Sequence, residues 1–319
     1  MPKVSLFDVF EFVPDLRPFL ADKTVTEIMV NGSNVFVEQD GILRAVDDLV
    51  IDPHLLRAEI NRLASNSDDE VSDRQPILDA RLDDGSRIAA MLPPASVGGP
   101  ILTIRKFTQR FTLTELVENG SLSVGAYDVL WYCVQQYENI LISGAAGTGK
   151  TTLLNAVGDL ISDRDRIAII EDTSEIYLTK PNIIRLEAQR ETNDRKAITI
   201  AQLVRSVLRH RPDRIIVGEV RGAEAFDLLQ ALNTGHRGSL TTIHASSAVR
   251  ALTRLAHCVL MANPDIPYQN VHEAIGDAID VIVHLQRQNG QRIVTEVICV
   301  ERYNLKSRKY EISAAGLDV

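Results

Sequence analysis

Residues 140–151 read Ile140-Leu141-Ile142-Ser143-Gly144-Ala145-Ala146-Gly147-Thr148-Gly149-Lys150-Thr151. The segment from Gly144 to Thr151 fits GxxxxGK[ST] in full, and its neighbours supply the context that pattern needs. An apolar run precedes it, and Leu153, Leu154 and Val157 follow with helical spacing, with Thr152, next after the loop, expected among the nucleotide-binding residues. Strand, glycine-rich loop and helix in that order aim backbone N–H groups and the positive helix end at phosphates. Gly144, Gly147 and Gly149 let the main chain wrap closely, with Ala145, Ala146 and Thr148 between them. Lys150 is then expected at the β and γ phosphates of a nucleotide, and the Thr151 hydroxyl at Mg²⁺. The competing reading, a glycine-rich turn with an exposed lysine, explains neither the strand before nor the helix after.

Such a loop needs carboxylates at the ends of adjacent strands. Short apolar strands are expected at 139–143, 166–170, 214–217 and 240–243, alternating with helices, which implies a mostly parallel sheet covered by helices. Two acidic groups follow such strands. Glu219 comes after 214–217 in the order of a Walker B element, although Gly218 stands where many such motifs carry Asp. Glu171, Asp172 and Glu175 follow 166–170, at the carboxyl end of the sheet, where open α/β folds bind ligands. An acidic loop is more often merely solvated, so this cluster is the weaker of the two on pattern alone.

Working outward, Thr199 and Gln202 form a capping box for a helix whose Ile200, Leu203, Val204, Val207 and Leu208 point inward. An earlier helix shows Val124, Tyr127, Leu130, Trp131 and Val134 on one side. Antiparallel signals close the chain near 281–285, 291–300 and 309–312. The grammar before residue 108 is different: strands at 25–30, 35–38, 77–82, 87–92 and 101–107, with turns at Asn31-Gly32-Ser33-Asn34 and Gln39-Asp40-Gly41. One helix there is capped by Asp52 with Pro53 in its first turn, and buries Leu56, Ile60 and Leu63. The expected organisation is a small α+β domain (1–107), a linker (108–122) containing a short helix from Thr112 stopped by Asn119 and Gly120, and a larger α/β domain (123–319).

Composition agrees with an ordinary globular protein: 319 residues, 45% apolar and 24% charged, at roughly 100–200 residues per domain. The 34 Lys and Arg against 43 Asp and Glu leave a net charge of −9, which opposes sequence-independent nucleic-acid binding. Cys133, Cys258 and Cys299 form no CxxC pair and read as small core residues in a reducing compartment. No run approaches the ~18 apolar residues that span a bilayer, and Asp8 and Glu11 interrupt any signal-like start. A cytoplasmic protein, able to dock on a membrane complex, is expected.

Four boxes in this order resemble a known family. They are the loop at 144–151, Glu-Asp-Thr-Ser-Glu at 171–175, Arg-His-Arg-Pro-Asp-Arg-Ile-Ile-Val-Gly-Glu-Val-Arg at 209–221, and Thr-Gly-His-Arg-Gly-Ser-Leu-Thr-Thr-Ile-His-Ala at 234–245. Together they are similar to the nucleotide boxes of the type II/type IV secretion ATPases, above all the TrbB-like conjugal-transfer relatives of the Vir-type traffic ATPases. Asp84-Gly85-Ser86-Arg87 and Ile104-Arg105-Lys106-Phe107 extend the likeness to the amino-terminal part. The resemblance implies a RecA-like P-loop domain behind a mobile amino-terminal domain. It also implies a homohexameric, ATP-hydrolysing ring at the cytoplasmic face of the inner membrane, in contact with the secretion or conjugation complex. The four-cysteine zinc insert common among type II assembly ATPases cannot be built from three scattered cysteines.

By that resemblance Glu219 and Glu175 handle Mg²⁺ or the attacking water, one of them as general base, and His236 and His244 lie near the γ phosphate. On residue type alone either histidine is more often a packing residue; His244, directly after a strand, is the stronger candidate. Arg87 and Arg105 align with arginines that reach the nucleotide from the amino-terminal domain, delivering positive charge when the domains close. Lys106, Arg209, Arg211 and Arg221 are further cations that surface or linker roles explain equally well. Two other classes share the core. A RecA-like helicase or packaging motor is opposed by the acidic charge and by the lack of an aromatic, basic stacking strip, and a P-loop kinase would need a second-substrate pocket.

Overall fold

Alternating apolar positions joined by tight turns build an antiparallel sheet from the first hundred residues. The computed structural model describes residues 10–39, 41–66, 70–82, 85–106, 111–189, 191 and 196–316. Residues 1–9, Asp40, Asp84, Phe107 and 108–110, all part of the readings above, lie outside the described residues. The chain forms two units, Met1–Gln109 and Arg110–Val319.

In the first unit, α1 (Arg17–Ala21) leads to β1 (Val25–Asn31), β2 (Asn34–Gln39) and β3 (Ile42–Val50). Helix α2 (Pro53–Asn66), β4 (Ile77–Arg81), β5 (Arg87–Met91) and β6 (Ile101–Arg105) follow. The strand order is β3-β2-β1-β6-β5-β4, antiparallel throughout. Asn31 pairs with Asn34, so Gly32 and Ser33 make the two-residue turn; Gly32 has φ +61. The Asp52 carboxylate accepts from the His54 N–H at 2.8 Å, and Leu56, Ile60 and Leu63 are buried as their spacing requires. Glu59 on the same face is also buried. Its carboxylate accepts the backbone N–H groups of Phe10 at 3.1 Å and Phe12 at 2.8 Å and pairs with Arg62, which satisfies a charge that would otherwise be costly inside.

The second unit opens with α3 (Leu113–Glu118), α4 (Val124–Gln135), β7 (Ile140–Gly144), α5 (Lys150–Gly158), β8 (Ile167–Glu171) and β9 (Ile183–Glu187). Then come α6 (Ile200–Val207), β10 (Arg214–Val220), α7 (Glu224–Asn233), β11 (Leu240–His244), α8 (Ala248–Ala262) and α9 (Tyr268–Ala278). It ends with β12 (Val281–Gln288), β13 (Gln291–Asn304) and β14 (Lys309–Ala314). The sheet order is β14-β13-β12-β7-β11-β10-β8-β9. The six strands from β12 to β9 run parallel, and β13 and β14 are antiparallel additions. Both faces are covered, which is why the central strands are continuously apolar. Leu141, Ile170, Val217 and Ile243 face the layer of α6 to α9, while Ile140, Ile142, Ile169 and Ile216 face α3, α4 and α5.

The Thr199–Gln202 capping box is present, and Val204 and Val207 are buried beneath it with Ile200, Leu203 and Leu208 packed alongside. A second box, Thr112 with Glu115, starts α3. That helix, read as part of a linker, buries Leu113 and Leu116 in the core of the second unit. On α4 the expected face holds for Leu130 and Val134, which are buried, and for Tyr127, which packs against the core. Val124 and Trp131 are corrected: they are 60% and 48% exposed, and Ala126 and Cys133 take the inward positions. Strand β9 was not anticipated. It is an edge strand whose half-buried Ile-Ile-Arg-Leu-Glu sequence lacks the continuous apolar signature of its neighbours.

At the amino ends of these strands a charged group is fully internal. Arg214 is 2% exposed; its Nε donates to Asp165 at 2.6 Å, other guanidinium N–H groups donate to the carbonyls of Val134 and Gly238, and its plane lies 4.0 Å from the Tyr137 ring centre. The Tyr137 hydroxyl donates to Asp165 at 2.9 Å.

Candidate nucleotide site

The loop between β7 and α5 has its glycines where the main chain requires them. Gly149, at the start of α5, has φ +92, and Gly147 has φ +71, conformations in which a Cβ is strained. A Cβ at Gly144 would stand 2.7 Å from the Leu285 carbonyl oxygen of β12. Ala145, Ala146 and Gly147 are exposed, so their backbone is open to a ligand. The Thr148 hydroxyl donates to the Ala145 carbonyl at 2.9 Å, bracing the turn, and Thr152 is half-buried in the first turn of α5. Lys150 is 7% exposed. Its ammonium donates to the carbonyls of Gly144 at 3.2 Å and Ala145 at 2.9 Å, and lies 3.3 Å from His244 Nδ1.

The carboxylate strand is not the immediate neighbour of the loop strand, contrary to expectation. β11 lies between β7 and β10, so His244 at its end stands between Lys150 and Glu219. Its Nε2 is 2.8 Å from Glu219 Oε1. The neutral tautomer that accepts Lys150 at Nδ1 carries its proton on Nε2, toward that carboxylate. Burial first, then the charge of Lys150, hold this imidazole below the usual histidine range, against an upward pull from Glu219.

Glu219 owes its direction to a shift of register. β10 pairs with β11 through Val217 and then Val220, leaving Gly218 and Glu219 as an irregularity of the kind that re-aims a side chain. Arg221 donates to the other Glu219 oxygen at 2.8 Å and lies 3.6 Å from Asp172. The hydrogen bond to Glu219 raises the Arg221 guanidinium above its ordinary value, so this arginine belongs to the cluster.

Of the acidic group after β8, each member does something different. Glu171 is 4% exposed; one carboxylate oxygen accepts the N–H groups of Glu175 at 2.7 Å and Ile176 at 2.8 Å. That cap fixes the loop so that Glu175 receives the Thr151 hydroxyl at 3.4 Å. The glycine at 218 now has a reason: a Cβ there would stand 3.1 Å from Glu171 Cγ. Asp172 faces Arg221.

Other candidates read from the sequence fall elsewhere. His236 precedes β11 at the amino end of the sheet, its Nδ1 3.2 Å from the Ala231 carbonyl, and its neighbour Ser239 bonds to Asn139 at the start of β7. The length of β11 therefore separates it from His244, about 13 Å over four residue steps. The expected place beside the phosphates of the same loop is corrected, because the two histidines of one box sit at opposite ends of one strand. Arg209 and Arg211 also precede their strand, β10, at this far end. In the first unit, Arg87 and Arg105 occupy directly opposed positions on β5 and β6, with Arg105 Nε 3.6 Å from Glu27. Lys106 donates to the backbone carbonyls of Phe19 and Asp22, a structural tether.

One contributor had no signal in the boxes. β12 and β13 form a hairpin whose Asn289 and Gly290 both have positive φ, and a Cβ at Gly149 would lie 3.5 Å from Arg292 Cδ and 3.9 Å from Leu285 Cδ2. The strand signals near 281–285 and 291–300 and the Asn-Gly turn between them mark this hairpin in the sequence, but not its place beside Gly149.

Comparison with known proteins gives the family. Residues 15–311 match the family described as type II/IV secretion system protein. The chain is 37% identical over 292 residues to the conjugal transfer protein TrbB of Rhizobium radiobacter, covering 89% of this chain and 86% of that one. It is 34% identical over 305 residues to the type IV secretion system protein PtlH of Bordetella pertussis, covering 86% and 89%. The X-ray structure of the Legionella pneumophila ATPase DotB superposes with a TM-score of 0.63 at 21% identity, over 89% of this chain and 78% of that chain, which speaks for the fold. With members of all four boxes meeting at the carboxyl end of a RecA-like sheet and a match over nearly its whole length, the chain belongs to the type II/IV secretion system protein family, among relatives named for conjugal transfer and type IV secretion.

Proposed function

We propose that this chain is a Mg²⁺-dependent ATPase motor of a type IV secretion or conjugal-transfer apparatus. One observation carries the reading: Lys150, Thr151, Glu175, Glu219 and His244 converge at the carboxyl end of the sheet beside the exposed backbone of 145–147. ATP brings phosphate oxygens to these groups. On its arrival the Lys150 ammonium exchanges two loop carbonyls for β and γ phosphate oxygens.

Thr151 and Glu175 offer a hydroxyl and a carboxylate, the hard oxygen donors that suit Mg²⁺, an ion that takes one or two carboxylates and completes its shell with phosphate and water. Among the described residues no group of three or more His, Cys, Asp and Glu is set to hold a metal alone, in keeping with an ion shared with the substrate. When bound, Mg²⁺ neutralises charge on the β and γ oxygens. Glu219 takes the proton of the attacking water as its oxygen bonds to the γ phosphorus; the bond to the bridging oxygen breaks, and ADP leaves with that electron pair. His244 directs Nε2–H toward the γ phosphate and Glu219.

Arg87 and Arg105, side by side on β5 and β6, are assigned to the charge that develops in the transition state, reached when the amino-terminal domain (1–107) closes. Coupled motion of that kind converts hydrolysis into work. Six copies in a closed ring repeat the required head-to-tail contact without a filament. No helix among the described residues is long and apolar enough to cross a membrane, which fits docking on the inner-membrane complex from the cytoplasmic side.

Steady-state phosphate release tests the reading. Lys150→Ala and Glu219→Gln should each lower turnover by about 10²–10³, the effect of deleting one preorganised transition-state group, and light scattering with an ATP analogue should give about six chains. Turnover surviving both substitutions removes the ATPase assignment.

A further inference from the structure

The β12–β13 hairpin overhangs the phosphate loop. Register puts Leu285 beside Gly144 at the end of β7, so β12 continues for three residues beyond the loop strand, and β13 returns over the same ground. Arg287 and Arg292 are directly opposed across the hairpin, and Leu285 is directly opposed to Val294. Side chains two apart on a strand share a face, so Leu285, Arg287, Arg292 and Val294 all project on one side. Contact identifies that side: Leu285 Cδ2 and the Cβ and Cδ of Arg292 flank Gly149, at the amino end of α5. Leu285 joins the core there, while the Arg292 stem lies along Gly149 and Arg287, opposite it, is exposed.

Like charges directly opposed on a hairpin repel, and these two add to the positive end of α5 and to Lys150. Such a concentration of cations is matched to a polyanion. Its position also selects which part of one. Glu219 and His244 are carried by β10 and β11 on one flank of β7, and Arg292 by the hairpin on the other. β12 and β10 are three strand spacings apart, about 14 Å, so the two groups stand on opposite flanks of the loop strand. With the γ phosphate at the Glu219 flank, the chain of phosphates runs toward β12.

We infer that Arg292 is a binding residue for the nucleoside side of the nucleotide, donating to the α phosphate. The inference rests on the nucleotide reading above and deepens it: Arg292 of the C-terminal hairpin, 142 residues after Lys150 in sequence, grips ADP and ATP alike, whereas Glu219 and His244 act on the γ phosphate that only ATP carries.

Calorimetric titration of the full-length protein with Mg²⁺-ADP and with a nonhydrolysable Mg²⁺-ATP analogue tests it. In Arg292→Ala both dissociation constants rise about tenfold, in line with loss of one charge-assisted contact, and their ratio stays that of the wild type. Arg292→Lys, which keeps the charge and loses the fork, falls between; it also serves if the alanine variant melts early by circular dichroism. Unchanged affinities overturn the assignment, and so does a loss confined to the ATP analogue, which would move Arg292 to the γ phosphate. Wild-type protein that binds neither nucleotide refutes the nucleotide site itself, a result distinct from either.

Discussion

Glu171 offers the sharpest test of how the acidic loop is built. Its buried carboxylate accepts two backbone N–H groups, from Glu175 and Ile176, and hydrogen bonds to a charged group are worth about 1.5–3 kcal/mol each. Glu171→Ala strips both donors of their acceptor in a dry site, so the expected loss is about 3–6 kcal/mol. At about 2–4 °C per kcal/mol for a unit of this size, the lower end alone moves the thermal midpoint by about 6–12 °C. Glu171→Gln retains a carbonyl oxygen without the charge and should lose about half as much. Gly218→Ala probes the same carboxylate from outside, since its methyl would stand 3.1 Å from Glu171 Cγ; crowding of that degree costs about 1–3 kcal/mol. Calorimetric melting reads stability, and turnover at rising Mg²⁺ reads Glu175, which loses its place beside Thr151 when the cap goes. A Glu171→Ala protein that melts within a degree of wild type, or a glutamine variant no better than alanine, would refute the capping role.

Asp165→Ala should destabilise by about 3–5 kcal/mol, because Arg214 is left charged and buried without its partner; Tyr137→Phe, which removes only the hydroxyl bonded to Asp165, should cost about 1 kcal/mol, and equal midpoints for the two variants would contradict the network. The imidazoles of His244, His272 and His284 are each held below the ordinary value of 6.5, chiefly by burial. The unfolded chain therefore takes up protons that the folded chain refuses as pH falls below 6.5, and stability, complete above that value, declines toward the depressed folded values. Thermal midpoints should drop between pH 7 and pH 5.5, and a flat profile there would show that these rings are not kept neutral.

Features set by neighbouring residues were legible in the linear chain. The loop at 144–151 specifies a strand, three glycines and a helix within one short run, and its geometry is as that run demands. Thr112 with Glu115, Thr199 with Gln202, and Asp52 with His54 cap their helices through bonds spanning two or three residues. The apolar runs of β7, β8, β10 and β11 announced a parallel sheet because burial on both faces leaves no room for polar alternation. Tertiary structure alone decided the strand order. Placing β11 between β7 and β10 put His244 between Lys150 and Glu219. It also chose among Glu171, Asp172 and Glu175, which look alike in composition, because a two-donor cap, a partner for Arg221 and a neighbour for Thr151 are distinguished only by where each carboxylate points. The buried face of α4 was settled in the same way, by what stood opposite the helix. Arg292 reaches Gly149 only after the hairpin folds back over the loop, and an inter-strand register, fixed by hydrogen bonds between distant segments, leaves no trace at either residue in the linear chain.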